Sequence, residues 1–327
     1  MNFQCKNCGA NMVFDPERQT MYCEHCESVD SHEQKGDRSI TVCAACGGEV
    51  IVNPLTSASQ CAYCGNYLIF DERIEGAYKP DTILPFKISK KAAVECMKQE
   101  FKKRIFTPTS FLSEPTLKDL NGYYVPYFLF DYKADAFYEG EGTKIRRWSS
   151  GGYDYTETSY YAIRRHMKAS YDNIPADASV AMEDDAMDLM EPYDYSQLVG
   201  FAPKYMSGFW GEIYNDNASA FEPRAKQKAN ASAHQLLNQS VSGYSSVRVV
   251  SENVALQPGK SDYALLPVWL YVYKFGGKIY RFFVNGQNGK VVGETPVSTG
   301  KVFSYGLTMA AALFGIVKIG MMLLEML

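Results

Sequence analysis

Eight of the chain's nine cysteines fall within residues 5–64 and form four Cys-x2-Cys pairs: Cys5/Cys8, Cys23/Cys26, Cys43/Cys46 and Cys61/Cys64. Fourteen residues separate the two pairs in each half. A shift of 38 superimposes all eight cysteines and carries Gly9 onto Gly47, Val13 onto Ile51 and Pro16 onto Pro54. This is an internal duplication. A Cys-x2-Cys turn aims two thiolates at one point, and the Gly that follows permits the tight turn, so each half reads as a two-knuckle metal site. Four thiolates in a tetrahedron suit zinc, with iron the alternative occupant of the same geometry. Segments this short cannot bury a sufficient core, so the metal must supply much of the folding free energy. The expectation is Zn2+ in two sites of four Cys each, one per half, with ligands interleaved between the halves as the geometric alternative. His25 and His32 are expected bystanders, since four cysteines already complete the set.

A disulfide framework would need an oxidising compartment. The N-terminal MNFQCKNC has no basic stretch followed by an apolar run, so no cleavable signal peptide is expected. The ribbons also carry the wrong charge for nucleic acid. Residues 1–70 hold four basic against eight acidic side chains, a net of −4. Two tetrathiolate zinc centres would take that to about −8. Phosphate binding relies on cationic side chains that release counterions, so these ribbons read as protein-interaction modules. Over all 327 residues, 46% are hydrophobic and 14% aromatic, which excludes a disordered chain.

The fold class expected is α+β: two tandem zinc ribbons (1–30 and 41–72) joined by a linker (31–40), then an α+β domain (77–298) and a C-terminal apolar helix (302–324). Ser89 is an N-cap for a helix to about Phe106, with Val94, Met97, Phe101 and Ile105 on one face and Cys96 packed as a small apolar residue. Residues 86–106 carry a net charge of +5; such a helix either covers an apolar stripe with a solvated face or rests on anionic lipid. Tyr123–Tyr138 alternates as a strand pair or one long strand. Ile145–Trp148 and Tyr153–Arg164 read as a hairpin, and Leu265–Tyr273 and Lys278–Val284 as strands joined at Gly276-Gly277, with Lys290–Val292 a further strand. A second, fainter repeat aligns residues 125–133 (VPYFLFDYK) with 266–274 (LPVWLYVYK). Each copy follows a helical stretch, the second at about Pro223–Val241. The acidic stretch Met182–Tyr195 fits no calcium loop and reads as a solvated segment facing the basic helix. Leu198–Tyr214, rich in aromatics, is expected to pack as core.

Val302–Leu324 is 23 residues with one charge, Lys318. As a helix it would span about 35 Å, enough for a bilayer core, and Lys318 lies off-centre, where it can snorkel. The expectation is a single transmembrane anchor, with a core helix or an interfacial helix as the alternatives, and the ribbons on the cytoplasmic side, where thiolates stay reduced. No phosphate-binding loop is present: residues 286–290 (GQNGK) are too short and continue with Val. Neither a G-x-S-x-G elbow nor H-E-x-x-H occurs. His166 and His234 have no partner identifiable by spacing and are expected to be surface or satisfied histidines. No catalytic constellation rises above background, so the chain is not expected to be an enzyme.

With its cysteine pairs, residues 84–88 (LPFKI), 124–126 (YVP), 191–194 (EPYD), 205–209 (YMSGF) and 266–269 (LPVW), the chain resembles a bacterial family with an N-terminal transcription-factor-IIB-type ribbon. Members of that family are often labelled replication-restart helicase or primosomal-protein homologues. The helicase label would require the missing phosphate loop. Some relatives occur beside phage-shock and flotillin-like proteins, and that resemblance implies membrane anchoring in envelope stress. The function expected is therefore a non-enzymatic, membrane-tethered zinc-ribbon adaptor for cytosolic or membrane-associated proteins. The alternative is a nucleic-acid-binding accessory protein of replication or transcription.

Overall fold

The computed structural model describes residues 2–29, 31–34, 42–50, 53–108 and 120–325. Ile51, residues 35–40 of the expected linker and the His32 side chain lie outside the described residues. The fold is α+β. The first cysteine unit holds β1 (Asn2–Cys5), β2 (Val13–Asp15), β3 (Thr20–Tyr22) and β4 (Ser31–Gln34); β1 pairs with β4 and β2 with β3, both antiparallel. The second holds β5 (Thr56–Gln60) and β6 (Tyr67–Ile69), followed by β7 (Thr82–Ile83) and α1 (Lys90–Lys103). Beyond these run β8 (Leu120–Ser150), β9 (Tyr153–Asp177), α2 (Asp184–Met190), β10 (Val199–Gly200), β11 (Trp210–Glu212) and α3 (Ala218–Ser240). The chain ends in β12 (Ser246–Phe275), β13 (Lys278–Asn285), β14 (Val291–Gly293) and α4 (Thr299–Glu325).

Among the described residues, ten strands form one mixed sheet in the order β10-β7-β12-β8-β11-β5-β6, with β13 and β14 continuing from β12 and β9 lying on β8. Its spine is the antiparallel pair β8–β12. The two copies of the fainter repeat meet here head to tail, with Val125 directly opposite Leu266. The register runs antiparallel from that pair, so Pro126 faces Leu265 and its repeat equivalent Pro267 faces Tyr124, as a local two-fold axis requires. A helix precedes each copy, and a hairpin partner, β9 or β13, follows it.

The segment read as Tyr123–Tyr138 and the hairpin arm Ile145–Trp148 are one strand of 31 residues. From Tyr132 to Gly142 the even-numbered residues are buried and most odd ones face outward, the period of a sheet covered on one side. The cover is α3, whose Ala225, Ala229, Ala233 and Leu237 recur every four residues and are fully buried, letting the helix lie close to the strands. Beyond the helix, Tyr244 packs onto Gly142, where a Cβ would sit 2.6 Å from its ring. Past Thr143, where β12 begins, β8 and β9 continue as an uncovered two-stranded hairpin.

Helix α1 starts as the sequence indicates, with the Ser89 Oγ accepting from the Ala92 amide at 3.3 Å. Val94, Met97 and Phe101 are buried, and Cys96 packs beside them. Ile105 is 57% exposed, because the helix ends at Lys103 before that turn completes. Under the helix, Phe86 is fully buried, stacked on Phe209 at 4.1 Å and edge-on to Tyr124 and Trp269 at 5.1 and 5.0 Å. Phe209 and Met206 thereby place part of Leu198–Tyr214 in the core.

Four carboxylates of the acidic stretch, Glu183, Asp184, Asp185 and Asp194, are exposed as expected, but the stretch meets α3 rather than α1. Arg224 and Lys228 of α3 meet it: Arg224 pairs with Asp177, Asp184 and Asp188, and Lys228 bridges Asp188 and Glu191 at 2.7 Å each. Arg281 of β13 takes Glu183 at 2.8 Å. The physical reason is burial. Asp177 lies under α3 with its Oδ2 lacking any hydrogen-bond partner, and a charge so placed needs a cation within reach.

Candidate metal centres

The knuckles form first, from local backbone bonds. At each Cys-x2-Cys the amide four residues after the first cysteine donates to that cysteine's carbonyl: Gly9 to Cys5 and Gly65 to Cys61 at 2.9 Å, Glu27 to Cys23 and Gly47 to Cys43 at 2.8 Å. The first cysteine's own amide then bonds the carbonyl one residue further on, that of Ala10, Ser28, Gly48 or Asn66. Closing this turn requires a left-handed residue, and φ is +75°, +62°, +73° and +75° at Gly9, Glu27, Gly47 and Gly65. Three of the four are glycines. Glu27 adopts the conformation at a cost of about 1–2 kcal/mol for an L residue. Replacing Glu27→Gly removes that strain and loses roughly 0.5–1 kcal/mol to glycine's larger unfolded-state entropy. A net gain of about 0.5–1 kcal/mol is expected, read as a higher midpoint in thermal unfolding; a lower midpoint would contradict this account of the knuckle.

The turns bring together Cys5, Cys8, Cys23 and Cys26 in one cluster and Cys43, Cys46, Cys61 and Cys64 in the other, with ligand atoms within 4.8 Å of one another. Each cluster draws on one half of the duplication, so the ligands are not interleaved. Facing Sγ pairs stand 3.5 Å (Cys5–Cys26), 3.6 Å (Cys8–Cys23 and Cys43–Cys64) and 3.8 Å (Cys46–Cys61) apart. A zinc ion with bonds of about 2.3 Å at the centre of a tetrahedron sets its edges at about 3.8 Å. These separations fit that ion and are far too long for disulfides of about 2.05 Å. All nine cysteines are free. His25 is exposed and outside the donor set.

Backbone amides favour the thiolate at one cysteine of each cluster, Cys5 and Cys61, while Cys8, Cys43 and Cys64 are pushed up in the crowded set of thiols. The Cys8 amide foremost, with that of Asn7, draws the Cys5 thiol down to about 6. At Cys61 burial pushes upward, but the Cys64 and Tyr63 amides outweigh it and bring the thiol to about 7. The Asn7 side-chain amide also donates to the Cys26 Sγ at 3.6 Å. Four protein thiolates fill the tetrahedron, which leaves no open position for a substrate and marks these as structural centres.

Both ribbons are locked to the body. In the first, the Phe14 amide donates to the Ser207 carbonyl at 2.8 Å, and the Ser207 Oγ donates to the Met12 carbonyl at 2.7 Å. Gln19 reaches the Phe86 carbonyl at 2.6 Å, and the Phe14 ring meets Tyr205 edge-on at 5.1 Å. In the second, β5 pairs with β11 and so extends the main sheet itself.

The two remaining histidines described are satisfied by carboxylates. His166 Nε2 lies 2.6 Å from Asp135 and stacks on Phe137, and His234 pairs with Glu252. At the other end of the chain, Thr299–Met322 is the one helix among the described residues long and apolar enough to cross a membrane, and none of that window is buried. Sequence reasoning missed two features: the left-handed Glu27 and the cationic contacts where this helix begins. For Glu27 a signal existed, since Gly9, Gly47 and Gly65 occupy the equivalent positions.

No family model and no solved structure match this chain. It is similar to the uncharacterized protein YdjG of Bacillus subtilis (strain 168), 32% identical over 330 residues, covering 98% of this chain and 97% of that one.

Proposed function

Because the chain belongs to the same family as YdjG of Bacillus subtilis, along nearly its full length, we propose that its ribbons, sheet body and apolar helix act together as a non-enzymatic, membrane-tethered adaptor. The observation that carries this reading is α4: 24 apolar-rich residues leave a folded body, and no residue of the apolar window is buried in it. A helix of that kind needs a bilayer or an equivalent apolar partner. The reduced thiolates of the ribbons then belong on the cytoplasmic side. Closed tetrathiolate centres organise a surface and leave no position for catalysis. Aromatic side chains of the kind that anchor protein interfaces stand exposed, among them Tyr63 on the second ribbon and Tyr153 and Tyr160 on the β8–β9 hairpin.

The test compares the intact chain with one ending at Ser298. The intact chain is expected in the membrane fraction and resistant to alkaline extraction, and the shortened chain in the soluble fraction. Equal fractionation of the two would overturn the anchor. Purification of the intact chain from detergent-solubilised membranes should then yield a near-stoichiometric protein, and its absence would overturn the adaptor.

A second reading, a nucleic-acid-binding accessory protein, is favoured by one observation. At the hairpin tip Arg146 lies over Trp148 at 5.4 Å and Trp148 stacks on Tyr155 at 5.5 Å. Cations interleaved with exposed aromatics suit single-stranded nucleic acid. Co-purifying nucleic acid that survives a salt wash would favour it over the adaptor.

A further inference from the structure

The apolar helix is rooted in the end of α1. The Ser298 amide donates to the Phe106 carbonyl at 2.8 Å, and the Ser298 Oγ accepts from the Lys301 amide at 3.3 Å. Lys301 Nζ reaches the Thr107 carbonyl at 2.7 Å, and the hydroxyl of the buried Thr107 donates to that of Thr295 at 2.8 Å. Arg104 donates to the Gly293 carbonyl at 2.6 Å, and the Phe106 ring meets Tyr305 edge-on at 5.6 Å. The last turn of α1 and the first turn of α4 are therefore one block.

That block is cationic. Residues 98–104 hold Lys98, Lys102, Lys103 and Arg104 against Glu100, and Lys301 adds a fifth cation. Lys98 pairs with Glu95 at 2.7 Å, and Glu100 takes both Lys103 at 2.9 Å and Arg104 at 3.8 Å, yet Lys98 and Lys103 remain open to solvent, Lys103 at 73%. Lys102 is exposed and has no ion-pair partner among the described residues. The remaining acid nearby is Glu294, which is exposed. Apolar side chains accompany the charges: Ile105 is 57% exposed and Phe303, on the first turn of α4, 76% exposed.

We propose that the C-terminal half of α1, together with Lys301, is a platform that rests on anionic lipid headgroups around the root of α4. The proposal rests on reading α4 as a membrane-spanning helix. Lys98 and Arg104 are about 9 Å apart along the helix axis. That is close to the Debye length at physiological salt, so the platform stays within the field of a charged leaflet whatever the tilt of α1. Ile105 and Phe303 are of the type that settles at the headgroup level. Charge complementarity also orients the molecule, since the acidic ribbons are repelled from the same surface.

The test reconstitutes the full chain into vesicles of phosphatidylcholine alone and of an equimolar mixture with phosphatidylglycerol, then measures lysine acetylation site by site. In the anionic vesicles Lys98, Lys102 and Lys103 should react about fivefold more slowly, the equivalent of about 1 kcal/mol per residue. High salt should erase the difference, and Lys133 and Lys168 on the arm should not change. A chain that resists alkaline extraction but shows equal rates at Lys102 and Lys103 in both vesicles overturns the platform and leaves the anchor standing. A chain extracted from both overturns the anchor, and the platform with it.

Discussion

A chain carrying Cys43→Ser and Cys61→Ser should bind one zinc instead of two and lose order well beyond the second ribbon. Structural zinc centres supply about 10–16 kcal/mol at neutral pH, as much as the whole stability of an ordinary domain, about 5–15 kcal/mol. The loss cannot stay local, because β5 is hydrogen-bonded to β11, and β11 runs parallel to β8 beside Tyr123 and Tyr124. The Ser57 Oγ–Glu212 carbonyl bond and the Ile213 amide–Leu55 carbonyl bond would break with it. Amide hydrogen exchange is the direct readout. Trp210–Glu212 should lose protection in the variant, while Ala136 and Ile163, under α3, keep theirs. Retained protection at Trp210–Glu212 in a chain shown to hold one zinc would mean that the ribbons are independent beads. The metal would then have no bearing on the body.

Arg224→Met should be the most damaging single substitution outside the metal centres. It removes the cation facing buried Asp177 and leaves Asp184 and Asp188 beside it. Breaking one side of a buried pair costs about 3–5 kcal/mol, which for a body of this size lowers the melting temperature by roughly 6–20 °C. The effect depends on pH in a fixed direction. Burial pushes the Asp177 carboxyl up to about 6 even against the attraction of Arg224, while an unfolded Asp titrates near 3.9. The native state therefore binds that proton more tightly than the unfolded chain. Its contribution is complete below about pH 4 and is lost as the pH rises through about 6. Without Arg224 the carboxyl titrates higher still, so the deficit should be largest at pH 8 and shrink on acidification. Burial raises Glu191 and Glu212 as well, and they act in the same direction. Combining Arg224→Met with Asp177→Asn should recover most of the loss at pH 8. A deficit independent of pH and unaffected by the second substitution would show that Asp177 is not the group left uncompensated.

The metal centres were legible in the sequence because their chemistry is local: four residues fix each knuckle, and the shift of 38 names all eight ligands. Helix α1 was legible for a similar reason, a cap and a periodic stripe. The long strands were not. Residues 258–261 (PGKS) are turn-forming residue types, yet β12 passes straight through them, absorbing the extra length in a register shift opposite Phe130 and Tyr132. Gly259 fits there because Asp131 approaches to 3.0 Å of where its Cβ would be. Glycine weakens a strand interior, yet Gly140 and Gly142 lie inside β8, where β12 and Tyr244 press in. Helix α3 was placed from Pro223 but begins five residues earlier, with Pro223 in its second turn. The counter-ions of the acidic stretch were assigned to α1, the nearest basic segment by composition. Only the packing of α3 on β9 brings Arg224 and Lys228 there, and no periodicity encodes that.

The length of β8 bears on what the hairpin tip can meet. From Tyr132, over the main core, to Ser150 the strand advances about 60 Å at 3.3 Å per residue. A flexible linker of the same number of residues would have a typical end-to-end distance of only about 24 Å and would sweep every radius below its limit. The arm is instead paired along its whole length, backed by α3 beneath Ala136 and Tyr138 and flanked by β12 as far as Thr143, so Trp148 is held near one radius. It works as a ruler. Whatever docks on the tip is kept at a set distance from the core, and anything lying closer is out of its reach.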